Sequence, residues 1–265
     1  ARAAETVERD KAVRHAAFAE GMLGSIDPAV AGEMDTTLMR FVLEGAAERV
    51  GADLGAHPEG EAAARTLIGR VYLAIGDAEA AAEHVDRALE LRRSLFGAEH
   101  VETLAVRALA GQLAHQRGRY ADAADELGKV AAGLGAALGP GHPDTLAAEN
   151  QLGDALHELG RFEDARAVFS DVLSNSDPDD LATRFPHKAA LNNLARTARL
   201  LGRPDDSERH YREALEVSRR IVGDLHPSTL TTINSLGVLI RSRGKAAEGI
   251  AGYREALEGR REVLG

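Results

Sequence analysis

Gly153-Asp-Ala-Leu-His-Glu-Leu-Gly160-Arg-Phe-Glu-Asp-Ala165-Arg-Ala-Val-Phe169 is the stretch on which the reading of this chain turns. Its second glycine recurs at a constant interval of 42 residues, as Gly76, Gly118, Gly160, Gly202 and Gly244. The residues around it keep the same phase. Seven positions before the glycine stand Gly69, Gly111, Gly153, Ala195 and Gly237, and five after it Ala81, Ala123, Ala165, Ser207 and Gly249, all small. Nine after it come Val85, Leu127, Phe169, Tyr211 and Tyr253, and twelve after it Ala88, Val130, Val172, Ala214 and Ala256. A unit this short cannot bury an apolar face alone. It must stack on its neighbours, so the chain is a solenoid, a class that offers extended binding surfaces.

Each unit reads as two helices around its glycine. Apolar residues within them recur at spacings of three and four, as at Leu191, Leu194 and Ala198, which is the period of an amphipathic helix. Glycine suits the turn because it takes a left-handed backbone at little cost. Arg117, Arg119, Arg161, Arg203, Arg243 and Lys245 flank the turns, where cations are favoured at a helix C-terminus. The small columns let two helix backbones approach, with the large apolar residue packed behind them. Gly128, Gly133 and Gly135 fall inside the second helix of one unit, each disfavoured by about 1 kcal/mol relative to alanine.

These columns resemble the tetratricopeptide repeat, with its small residues at the helix contact, its turn glycine and its aromatic in the second helix. Gly153, Gly160, Ala165 and Phe169 occupy those places. The common period of that family is about 34 residues. The longer unit here is similar to the kinesin-light-chain-type subclass, including its loop: Gly97-Ala-Glu-His100-Val-Glu-Thr103-Leu104, Gly139-Pro-Gly-His142-Pro143-Asp144-Thr145-Leu146 and Gly223-Asp-Leu-His226-Pro227-Ser228-Thr229-Leu230. The resemblance covers roughly residues 58–265 and implies an all-α, right-handed superhelix of about five helix pairs. One loop departs from it. Ser174 to Pro186 is polar and turn-rich, with Arg184 in the histidine position.

Residues 1–57 are read as an N-terminal helical linker and cap. They divide into a charged helix over 1–24 and a second helix over 36–54, with Leu38, Phe41, Val42 and Val50 on its apolar side and Asp35 or Thr36 as its cap. The run from Asp35 to Arg49, then His57-Pro-Glu, then Ala62 to Leu73, resembles the segment joining kinase domain to repeats in bacterial serine/threonine kinases with C-terminal tetratricopeptide arrays. No kinase motif is present, so the resemblance implies a non-catalytic recognition role in a larger signalling protein. The opening without Met reads as a piece of a longer chain. The expected compartment is cytoplasmic, or extracytoplasmic if the parent is a membrane-anchored kinase.

Composition narrows the function classes. The formal charge of −10 disfavours nucleic acid as a partner. No run of apolar residues is long enough to span a membrane. The absence of Cys removes disulfides, thiolate zinc sites and thiol catalysis. His100, His142 and His226 recur one per unit, too far apart to share a metal ion, and serve the loops instead. Asp177, Asp179 and Asp180 lack the calcium-loop spacing. Gly133 to Gly139 lacks the lysine and hydroxyl residue of a phosphate loop. No catalytic residue, metal or cofactor is expected.

A second stripe on each first helix lies ten, six and three positions before the turn glycine, on one helix face. It gives Asn150, Asp154 and His157, then Asn192, Arg196 and Arg199, then Asn234, Val238 and Arg241, with Ala108, Gln112 and His115 in the second unit. The resemblance implies that asparagines on this concave face grip an extended peptide, since an amide both donates to and accepts from a backbone. Asn150, Asn192 and Asn234 match; Thr66 and Ala108 do not. The same amides could instead bridge adjacent units. Arg196, Arg199 and Arg241 suit an acidic segment, because Arg binds carboxylates through two parallel bonds. The expected function is therefore non-enzymatic binding of a protein or peptide, with self-assembly into a homo-oligomer as the alternative.

Overall fold

A computed structural model describes residues 36–264. The expected helix over 1–24 and the cap at Asp35 lie outside the described residues. Among the described residues there are eleven helices and no strand: α1 Thr36–Leu54, α2 Pro58–Ala74, α3 Ala78–Phe96, α4 Val101–Gln116, α5 Tyr120–Leu138, α6 Pro143–Glu158, α7 Phe162–Ser174, α8 Arg184–Leu200, α9 Pro204–Val222, α10 Pro227–Ser242 and α11 Ala246–Leu264. The chain divides into two compact units, one ending at Glu126 and the other starting at Leu127, so the boundary falls within α5.

Five helix pairs turn at the five repeated glycines, all with φ between +70° and +82°. The turn closes in one way each time. In the middle pair the Gly160 N–H donates to the His157 carbonyl and the Arg161 N–H to the Leu156 carbonyl, both at 2.9 Å. That double bond pattern satisfies the last carbonyls of the first helix and demands the left-handed residue that glycine supplies. The flanking arginines do more than favour a helix end. Arg117 pairs with Glu79 at 2.9 Å, Arg203 with Glu163 at 3.1 Å, and Arg243 with Asp205 and Glu208, so each reaches the second helix of the preceding pair.

The small columns are the seam within each pair. Ala81, Ala123, Ala165 and Ser207 have no exposed surface. Ser207 donates its hydroxyl to the Ala195 carbonyl at 2.7 Å, which ties the seam where alanine replaces glycine. A Cβ on Gly69 would stand 2.9 Å from Val85 Cγ2, and one on Gly237 3.0 Å from the Gly249 carbonyl.

The loop histidines are N-caps. His100, His142 and His226 sit in extended backbone just before α4, α6 and α10, and each ring Nδ1 accepts the backbone N–H two residues on, at 3.1–3.3 Å. The threonine three residues later is buried. Thr145 and Thr229 donate to the carbonyls of Gly139 and Gly223 at 3.0 and 2.8 Å, and Thr103 to that of Arg92 at 3.2 Å. Helix end and helix start are thus tied together. In the divergent loop, α7 stops at Ser174, and Thr183 takes over by bonding the Asp177 backbone and the Asp180 carboxylate.

The face of α1 differs from the expected one at Phe41 and Val42, while Val50 is in the core as expected and the Leu38 side chain lies outside what is described. Met39, Leu43, Ala46, Ala47, Val50 and Leu54 form or flank the core shared with α2–α4, whereas Phe41 is 73% and Val42 43% exposed. The inner stripe Met39, Leu43, Ala46, Val50 and Leu54, spaced by three and four, outweighs the shorter apolar run at 41–42.

Helix α5 runs unbroken through Gly128 and Gly135, and a Cβ on Gly128 would meet nothing within 4 Å. Gly128→Ala is therefore expected to stabilise the protein by about 0.5–1 kcal/mol in urea titration. Amides of α5 are expected to exchange faster than those of α9, by native-state hydrogen exchange.

Candidate functional site

The three stripes in the second unit are set by the first helices α6, α8 and α10, and the next helix pair decides what each side chain is free to do. Asn150 is buried. Its amide donates to the Leu146 carbonyl at 3.1 Å and to the Pro186 carbonyl, at the start of α8, at 3.0 Å. Asn192 donates to the Lys188 carbonyl at 3.2 Å, and its Oδ1 accepts the Thr232 hydroxyl on α10 at 2.9 Å. Both amides thus bridge to the following pair. Among the described residues Asn234 makes no side-chain hydrogen bond.

The charged positions divide in the same manner. Arg196 pairs with Asp154 at 2.8 Å and lies 3.7 Å from Glu158, both on α6. Its charge is therefore compensated within the junction. Arg199 and Arg241 are exposed and in no ion pair among the described residues; the Arg241 guanidinium lies 5.8 Å from the centroid of the Tyr253 ring. Val238, between Asn234 and Arg241 on the stripe, is exposed. The second unit thus presents two cations, a free amide and an apolar side chain on α8 and α10.

His157 is 7% exposed, with Nδ1 3.0 Å from the Thr197 hydroxyl and its ring edge-on to Phe162. Burial, reinforced by Arg196 and Arg199, pushes its pKa down to about 4, so the ring is neutral at pH 7. It is a wedge between helix pairs rather than an exposed contact. In the first unit Gln112 is half-buried, and His115 packs edge-on to Tyr120 at 5.1 Å with its Nε2 buried and unbonded.

Other polar groups act in the core. Glu61 is buried; burial raises its pKa, but hydrogen bonds from Arg87 and Arg65 outweigh that and hold it below the usual carboxylate range. Arg107 is likewise buried against Glu126 at 2.6 Å and Glu99 at 3.2 Å. Arg65, Arg107 and Glu149 share the position eleven before the turn glycine, a column that is otherwise apolar at Leu191 and Ile233. Charge in a core column was the available signal for these clusters.

Helix pairs closed by left-handed glycines, seamed by small residues and bridged by side-chain hydrogen bonds, define a repeat scaffold. The chain belongs to the tetratricopeptide repeat family: one family model, tetratricopeptide repeat, matches residues 60–134 and 188–262, and a second of the same description matches 134–180 and 150–222. No curated protein matches it. Among solved structures it is similar to BtubC (BKLC) from P. vanneervenii, with TM-score 0.68 and 18% identity over 87% of this chain and 94% of that one. It is also similar to the kinesin light chain nearly identical TPR-like repeats of Podosopora anserina, with TM-score 0.60 and 18% identity over 78% and 98%. The apo quorum sensor NprR from B. thuringiensis gives TM-score 0.68 at 9% identity over 96% and 75%. These likenesses are of fold. The fold is typical of non-enzymatic protein–protein interaction scaffolds, and no described helix is long and apolar enough to cross a membrane.

Proposed function

We propose that this chain is the docking part of a larger bacterial signalling protein and that it holds an extended acidic segment of a partner protein. The observation that carries this reading is the pair Arg199 and Arg241, exposed on α8 and α10 with no carboxylate partner among the described residues, in a chain of net charge −10. Equivalent positions on successive helix pairs suit the repeat of an extended peptide. Asn234 supplies an amide for its backbone and Val238 an apolar contact. Asn150, Asp154, His157, Asn192 and Arg196 hold the junctions that keep this face rigid; in the first unit Gln112 and His115 hold the same register positions. The kinase context rests on the resemblance of residues 35–73.

Fluorescence anisotropy with labelled oligo-glutamate and oligo-lysine peptides tests the reading. Oligo-glutamate is expected to bind more tightly, increasingly so at low salt. Arg199→Ala with Arg241→Ala is expected to weaken it roughly tenfold and to flatten its salt dependence. Asn234→Ala should cost about 0.5–1.5 kcal/mol with any extended peptide, as one lost hydrogen bond does. Equal binding of oligo-lysine, or binding indifferent to both arginines, would overturn the proposal.

A further inference from the structure

Helix α8 departs from its counterparts where it begins. Lys188 stands in the column of Leu104, Leu146 and Leu230, all buried, and Phe185 in that of Val101, Pro143 and Pro227. Helices α2 to α7 each carry a carboxylate in the first turn, whereas α8 carries none and opens on Arg184 and Phe185. The Arg184 guanidinium lies 5.2 Å from the centroid of the Phe185 ring and the Lys188 ammonium 5.8 Å from it. Lys188 also donates to the Ser228 hydroxyl on α10 at 3.0 Å. The ring between these cations is 45% exposed. Arg184 is in no ion pair among the described residues, and its Nε is buried without a hydrogen-bond partner.

The carboxylates of the preceding loop are engaged elsewhere. Asp177 accepts the Asp179 N–H at 2.8 Å, and Asp179 pairs with Arg220 at 2.9 Å. Asp180 accepts the Ala182 N–H at 3.1 Å and the Thr183 hydroxyl at 3.0 Å. The basic cluster continues the face described above, for Phe185, Ala189, Asn192, Arg196 and Arg199 follow one another at spacings of four and three. Helix α8 is an inner helix of the second unit, bonded to α6 through Asn150 and Pro186 and to α10 through Asn192 and Thr232, so helix pairs on both sides set what it exposes.

We infer that Arg184, Phe185 and Lys188 form a second anchor for the acidic segment, which lies along α8 and carries two groups of carboxylates, one at Arg199 and one at this cluster. The inference rests on the reading of Arg199 and Arg241 given above. Two cations held against an exposed ring offer a carboxylate its counter-charge and the methylenes beside it an apolar surface. Lys188 and Arg184 stand eleven and fifteen residues before Arg199, a rise of about 16–22 Å along the helix. An extended chain covers that distance in about five to seven residues. The site therefore selects acidic groups by their separation as well as by their charge.

Fluorescence anisotropy on the full chain tests it, with labelled peptides of equal charge: tetraglutamate, and two Glu-Glu blocks joined by Gly-Ser spacers of increasing length. The spaced peptide is expected to bind roughly tenfold more tightly than tetraglutamate once its spacer reaches about four residues, and the gain should fall slowly with longer spacers. Arg184→Gln with Lys188→Met, which keeps the lysine stem, should abolish that gain while tetraglutamate still binds and circular dichroism is unchanged. Should the double variant lose helicity, Arg184→Gln alone should remove at least roughly threefold of the gain. Phe185→Ser should reduce it as well. A spaced peptide no better than tetraglutamate at any spacer, or a gain that survives the loss of Arg184 and Lys188, overturns the inference and leaves the earlier reading standing. Tetraglutamate binding indifferent to Arg199 and Arg241 overturns that reading and the inference with it.

Discussion

Gly153→Ala is expected to destabilise the protein by about 1–3 kcal/mol, and Phe169→Ala by about 3–5 kcal/mol, in urea titrations of the second unit's unfolding. Among the described residues Phe169 is the largest side chain with no exposed surface, and its ring fills the space that a Cβ on Gly153 would need. A Cβ on Gly153 would stand 2.6 Å from Phe169 Cζ and 2.9 Å from Cδ1, distances that force the ring or the helix to move. Truncating the ring leaves a void in the seam between α6 and α7 that neither helix can fill by a simple shift, since Ala165 and Val172 hold α7 on both sides of it. The same substitution at Gly128 is expected to stabilise, because nothing there contests the added methyl group. The opposite signs distinguish glycines required by packing from glycines merely tolerated. The double variant Gly153→Ala with Phe169→Leu should cost less than the sum of its parts by about 1 kcal/mol or more, since the smaller side chain makes room for the methyl group. Strict additivity would show that the two residues do not share one space.

The pairs and their seams were legible in the sequence because every structural position is sampled five times. Any one small residue on a helix is uninformative, whereas Ala81, Ala123, Ala165, Ser207 and Gly249 in one column exclude chance. The turn glycines were legible for the same reason and proved to have the left-handed backbone the reading required. Where a feature occurs once, the sequence was a poorer guide. Helix α1 has no column to arbitrate its face, so the conspicuous Phe41 and Val42 masked the longer stripe from Met39 to Leu54. The resemblance to kinase-linked arrays rests on that same single segment and remains a proposal.

The candidate face was legible in position but not in availability. Spacing places Asn150, Asn192 and Asn234 on equivalent faces of three helices. It does not say whether the next pair presents a backbone carbonyl at Pro186 or a hydroxyl at Thr232 to take the amide. Arg196 and Arg199 are indistinguishable by charge, yet only the first has Asp154 exactly one repeat away on the neighbouring first helix. The residue at the same position one unit earlier was the signal for that pairing. The loop histidines carried a subtler one. A histidine followed two residues later by the first turn of a helix can cap it through Nδ1, which explains why Ser, Thr, Asp or Asn is missing from those starts.

Stability is expected to fall as pH falls from about 6.5 to about 4, with His157 contributing about 2–3 kcal/mol of the loss. The sign follows from where the proton binds. Above about pH 6.5 the ring is neutral in folded and unfolded chains alike, and His157 adds no pH dependence. Between about 6.5 and about 4 the unfolded chain takes up a proton that the folded chain refuses, so acidification favours unfolding. Below about 4 both forms bind it and the dependence ends. The cause is local: a protonated ring would sit desolvated beside Arg196 and Arg199, with only the Thr197 hydroxyl as hydrogen-bond partner and Glu158 as a partial counter-charge. His84, His187 and His210 are also held below the usual value by burial and act in the same direction. Glu149 acts in the opposite one, because burial and the nearby Asp171 raise its pKa. The informative quantity is therefore a difference. His157→Gln, which removes the titrating ring, should show a shallower decline than wild type between about pH 7 and about pH 5, a range in which most carboxylates stay ionised. Parallel curves would mean that His157 accepts its proton in the folded protein as readily as in water, and that the junction between α6 and α8 is open to solvent.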